Sequence, residues 1–87
     1  MKEQRRSTRT LPPHIKIIAQ RLKQTRMDAG MNQKQLAITS RVLPSCICNL
    51  ERGRSGTSVY LLIRLADALC VSLDYLVGRS DFREIRK

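Results

Sequence analysis

An all-α fold of five short helices is predicted for this chain from three observations. Apolar residues recur at three- and four-residue steps in separate segments. Residues that cap helices stand in front of several of them, namely Asn32, Thr57 or Ser58, and Ser72, while Gly30 and Gly78 stand where two of them end. Between Gly30 and Gly53 two such segments lie only a few residues apart, which requires a tight turn. Eighty-seven residues suffice for one domain, and a chain of that size buries only about 60% of its unfolded surface, so the core is modest.

Residues 1–12 lack periodic apolar positions and carry Lys2, Arg5, Arg6 and Arg9, which predicts a flexible basic arm ahead of a domain spanning 13–78. The first helix is expected from about Pro13 to Ala29, with Ile15, Ile18, Leu22 and Ala29 on its inner face and Gly30 closing it in a left-handed cap. Asn32 then caps a second helix in which Leu36 and Ala37 face inward. A third helix is expected from about Pro44 to Glu51. Proline is tolerated there because a first-turn N–H has no intrahelical partner, and Ile47 and Leu50, three apart, share the buried face. The opposite face carries Ser45, Cys48, Asn49 and Arg52.

After Glu51 the segment RGRSGTS reads as a loop. A fourth helix follows from about Ser58 to Leu69, with Val59, Leu62, Ile63, Ala66 and Leu69 at helical steps behind a Thr57 or Ser58 cap. Ser72 caps a short fifth helix, LDYLV, with Asp74 favourable in its first turn and Gly78 at its end. Leu73, Tyr75, Leu76 and Val77 exceed what so short a helix buries alone. Either a second copy covers Leu73, Tyr75 and Leu76 together with the tail 79–87, or Leu73 and Leu76 finish the monomer core and the tail frays.

Seventeen Lys and Arg against seven Asp and Glu give a net charge of +10 and a pI near 10.6. Such an excess on a small body is an electrostatic footprint for a polyanion, and release of counterions from a phosphate backbone is the usual source of the binding energy. With Tyr60, Tyr75 and Phe82 the only aromatic residues, single-strand platforms built from several exposed rings are disfavoured against duplex DNA. No run approaches a membrane span, and Pro12, Pro13 and His14 stand where a secretion signal would have its apolar core, so a cytoplasmic protein is expected. Cys46, Cys48 and Cys70 are an odd number without a signal, which argues for reduced thiols. C-x-C spacing with a single histidine does not assemble a four-ligand zinc site, so neither metal nor cofactor is expected.

Two short helices joined by a tight turn form a helix-turn-helix, whose second helix can enter a DNA major groove. The chain resembles the Cro and phage-repressor type of regulator, the XRE-like family. The family pattern is met as RLKQTRMDAGMNQKQLA from Arg21, SCICNLERG from Ser45 and LLIRLADALCVSLDYLVG from Leu61, roughly residues 15 to 78. The resemblance implies a compact five-helix, lambda-repressor-like DNA-binding domain that acts as a two-fold dimer on palindromic operators. It further implies that Arg26 pairs with Glu51, that Gln33 and the helix start beside Asn32 meet a phosphate, and that Arg52 and Arg54 meet others.

The chain departs from the family in the turn, where glycine is usual and Arg41 stands, and at the start of the third helix, where Leu43 and Pro44 replace polar residues. Arg41 either sits left-handed, compensated by a phosphate contact, or the turn is remodelled. Ser45 and Asn49 are the expected readers of base edges, with Pro44 and Cys48 as neighbouring surface contacts and Cys46 packed beneath the helix. The function these residues support is a sequence-specific double-stranded DNA-binding regulator, repressing by occupying an operator. The alternative is an antitoxin, or other protein-interaction module, that holds a toxin partner and autoregulates through the same motif. Paired acids, a histidine constellation and a phosphate loop are all missing from the sequence, which argues against an enzyme.

Overall fold

The computed structural model describes residues 13–54 and 58–84; the basic arm expected over 1–12, Thr57 as a cap and Ile85 in the tail lie outside them. Five helices run in the order α1 (Pro13–Asp28), α2 (Gln33–Ser40), α3 (Pro44–Glu51), α4 (Val59–Leu69) and α5 (Leu73–Leu76), and the described residues include no strand. Each start follows from a local device. The Asn32 side chain accepts from the Gln35 N–H while the Gln35 side chain accepts from the Asn32 N–H, a reciprocal box that satisfies two donors left over at the start of α2. Ser58 and Ser72 do the same singly for α4 and α5.

The core is one cluster built from all five helices. Ile18 and Leu22 of α1, Leu36 and Ala37 of α2, Ile47 and Leu50 of α3, Leu62, Leu65, Ala66 and Leu69 of α4 and Leu76 of α5 converge with Val71. Helix α1 packs on α3 and α5, α2 on α3 and α4, and α4 on α5, so α3 is held from two sides. Gly30, at φ 74°, turns the chain sharply after α1, as the left-handed cap requires. Gly78 is needed for space as well: a Cβ there would lie 2.8 Å from Ile17 Cγ2.

Four expectations are corrected by the packing. Ala29 is exposed and lies beyond the end of α1, where the chain already turns toward Gly30. Val59 and Ile63 are 64% and 40% exposed, because the buried stripe of α4 runs through Leu62, Leu65, Ala66 and Leu69 and leaves those two beside it. Leu76 is wholly enclosed in the protomer's own core, so it is unavailable as a dimer contact. The tail does not fray over 79–84. Arg21 donates to the carbonyls of Tyr75 (2.7 Å) and Ser80 (2.6 Å) and to Asp81 (3.0 Å), with its guanidinium 4.2 Å from the centre of the Tyr75 ring. The Ser72 N–H donates to the Arg83 carbonyl, and Arg83 pairs with Asp28. The Arg83 guanidinium, then the Gln24 amide, hold the Asp28 carboxyl below its ordinary pKa.

One polar atom in this core has no partner. Thr25 is buried on α1, and its hydroxyl makes no hydrogen bond among the described residues. An unsatisfied buried hydroxyl carries a desolvation penalty that an apolar isostere removes. Thr25→Val is therefore expected to raise stability by up to about 1 kcal/mol, measured as a shift of the urea midpoint at constant slope.

Candidate nucleic-acid interface

The first layer of the site is the turn between α2 and α3. Arg41 takes φ 62° and ψ 43°, left-handed, so the chain keeps the tight turn without glycine. The backbone N–H of Val42 donates to the Ala37 carbonyl at 3.0 Å, closing α2, and Val42 rests against the core. The Arg41 carbonyl accepts from Arg64 of α4 at 3.1 Å, and Arg64 lies over the Tyr60 ring, 4.5 Å from its centre, while bonding the Tyr60 hydroxyl. The turn is thus tied to the scaffold by its backbone, which leaves the exposed Arg41 side chain outside that network.

The second layer is α3 itself. Leu43 stands at its N-cap without a side-chain cap bond, and Pro44 follows at the first helical position. Ile47 and Leu50 point into the core, which turns Pro44, Ser45 and Asn49 outward, with Arg52 exposed at the C-cap. Cys48 is half-buried on this outer side, and Cys46, expected beneath the helix, is also only half-buried. Arg54 is exposed after the turn at Gly53, and its backbone N–H donates to the Asn49 carbonyl at 3.0 Å.

The orientation of α3 is set by Glu51 at its last turn. Arg26 Nε donates to Glu51 Oε2 at 2.7 Å and Arg26 NH2 donates to Oε1 at 3.0 Å, a bidentate fork in which the two side chains are only 11% and 4% exposed. The remaining Arg26 nitrogen donates to the Met31 carbonyl at 2.8 Å, and Gln33 Nε2 donates to Glu51 Oε1 at 3.0 Å. Hydrogen bonding to Glu51 raises the Arg26 pKa above its ordinary value. Gln33 therefore connects the start of α2 to the end of α3. Asn32 is engaged by its capping box.

Lys34, Arg41, Arg52 and Arg54 are exposed and make no ion pair among the described residues, and Lys16 and Lys23 of α1 make none either, whereas Arg21 pairs with Asp81, Arg79 with Asp74 and Arg83 with Asp28. Arg41, Arg52 and Arg54 thus leave unmatched cations around an outer α3 face that carries a hydroxyl and a carboxamide. Such a surface suits duplex DNA, with cations for phosphates and hydrogen-bonding groups for base edges. The bonds from Arg64 to the Arg41 carbonyl and from Arg21 to the segment after α5 were not legible from the sequence, since those partners lie 23 and 54–60 positions away.

No family model matches the chain, and no curated protein matches it by sequence. Solved structures do match. The clp gene regulator ClgR from Corynebacterium glutamicum is 31% identical, with 80% of this chain and 74% of that one covered and a TM-score of 0.71. The restriction-modification controller protein C.AhdI from Aeromonas hydrophila is 31% identical over 71% of this chain and 94% of that one, with a TM-score of 0.68.

Two substitutions test this frame. Glu51→Ala leaves the Arg26 guanidinium partly buried without its carboxylate and is expected to destabilise by about 3 to 5 kcal/mol, read from chemical unfolding; a loss well under 1 kcal/mol would show that the fork contributes little. Arg41→Gly removes the side chain from a left-handed position. Glycine's greater freedom in the unfolded chain offsets part of the relief, so the gain is expected to be at most about 1 kcal/mol. A clear fall in melting temperature would contradict the strain at Arg41.

Proposed function

Since the chain belongs to the XRE-like family of helix-turn-helix transcriptional regulators, we propose that it represses by occupying an operator, with α3 in the major groove. It is a DNA-binding transcriptional regulator. The observation that carries the finer reading is the outer face of α3, where Ser45 and Asn49 are exposed while Ile47, Leu50 and Glu51 anchor the helix from behind. Asn49 reads adenine through its carboxamide, and Ser45 serves as donor or acceptor to a neighbouring base. Arg41, Arg52 and Arg54 meet phosphates on either side, and the start of α2 beside Asn32 and Gln33 meets another.

A two-fold dimer on a palindromic operator is the assembly this reading takes. It is supported by the half-buried Leu73 and Tyr75 and by Phe82, which is 57% exposed on the same side of the domain as α5. The neighbours are by name a gene regulator and a controller protein, and the chain is likewise read as a regulator without enzymatic activity. No described helix is long and apolar enough to cross a membrane, and we place the protein in the cytoplasm with its DNA.

Selection of bound sequences from a random duplex library, with the number of protomers per site measured, tests specificity and assembly together. On the selected operator, Asn49→Ala is expected to weaken specific binding by about 1 to 3 kcal/mol and to leave random duplex nearly unaffected. Arg54→Ala is expected to weaken both alike and to lower the slope of log K against log salt by about one. Equal losses from Asn49→Ala on both duplexes would remove that residue from base readout, and an unchanged salt slope would place Arg54 in solvent.

A further inference from the structure

The outer face of α3 is divided lengthwise. Ser45 and Asn49 are four residues apart and share one edge, while Pro44 and Cys48, also four apart, share the other. The first edge can exchange hydrogen bonds with bases. The second has almost nothing to offer, because a proline has neither an N–H nor a polar side-chain atom and a thiol is a weak donor and acceptor. Leu43, just before Pro44, is 67% exposed, so the N-terminal end of α3 is apolar on its outside. That end is the part of a recognition helix that reaches the base edges.

An apolar edge pressed into the major groove meets one apolar group there, the C5 methyl of thymine. The exposed amino, carbonyl and N7 positions of the other bases would instead lose water to side chains that cannot replace it. We propose that Pro44 and Cys48 read thymine through its C5 methyl group, beside the bases that Ser45 and Asn49 read through hydrogen bonds. This rests on α3 being the recognition helix. The replacement of a polar residue by Pro44 at the start of α3 then changes what is read at that step of the operator, from a hydrogen-bond pattern to a methyl group.

The test uses the full chain and an operator selected from random duplexes. Each thymine is replaced in turn by uracil, which removes only the methyl, and cytosine and 5-methylcytosine are compared at any position that responds. Uracil is expected to weaken binding about threefold to fivefold at one or two positions, the factor for one methyl leaving an apolar contact. At those positions 5-methylcytosine is expected to bind more tightly than cytosine. The uracil penalty should vanish in Pro44→Ser or Cys48→Ser protein whose melting curve shows it folded. Tolerance of uracil everywhere by the unsubstituted protein, with the operator still preferred over random duplex, would overturn the inference, as would a penalty undiminished in both variants or no gain from 5-methylcytosine. Absence of any preferred duplex would instead overturn the regulator reading beneath it.

Discussion

Arg26 and Glu51 meet where water has little access, and four parts of the chain converge on them. Arg26 comes from α1 and Glu51 from the last turn of α3, the Met31 carbonyl comes from the connection after α1, and Gln33 comes from the first turn of α2. A surface ion pair is worth little, since solvent screens it and side-chain entropy opposes it. This one differs because its two hydrogen bonds fix the guanidinium plane against the carboxylate, and the remaining groups are also satisfied. Its value lies in direction: with α3 held at its C-terminal end by Glu51 and along its inner side by Ile47 and Leu50, Ser45 and Asn49 have one orientation available.

The turn before α3 reaches a comparable definition by a different route. A left-handed arginine is strained relative to glycine by roughly 1 to 2 kcal/mol, so the surrounding structure has to hold it. Arg64 does so by binding the Arg41 carbonyl, itself backed by Tyr60, and Val42, the following residue, packs against the core. Keeping the Arg41 side chain outside this network places a cation beside α3. Elsewhere Asp28, Asp74 and Asp81 each pair with an arginine of α1 or of the segment after α5.

The C-terminal segment belongs to the scaffold through residue 84. Arg21 gathers two carbonyls, a carboxylate and the Tyr75 ring, and Ser72 binds the Arg83 carbonyl, so the segment after α5 closes over α1. Leu76 lies within the core cluster, and Leu73 and Tyr75 keep only part of their surface. A second copy meeting this side would contact an ordered surface.

Helix positions, three of the caps and the inward residues of α2 and α3 were legible in the sequence, because capping and helical periodicity act within a few residues. Asn32 and Ser72 mark their helices whatever the rest of the chain does, and for α4 the sequence offered Thr57 or Ser58, of which Ser58 is the cap. The outward placement of Ser45 and Asn49 followed from the same periodicity, and the Arg26–Glu51 pair was legible only through family resemblance. The exposure of Val59 and Ile63, the burial of Leu76 and the structural roles of Gln33, Arg64 and Arg21 were decided by tertiary structure alone. Periodicity says that a helix has an apolar face but not how wide a neighbour covers it. Hydrogen bonds between residues 18 to 60 positions apart depend on how five helices stack, and a one-dimensional pattern contains no record of that.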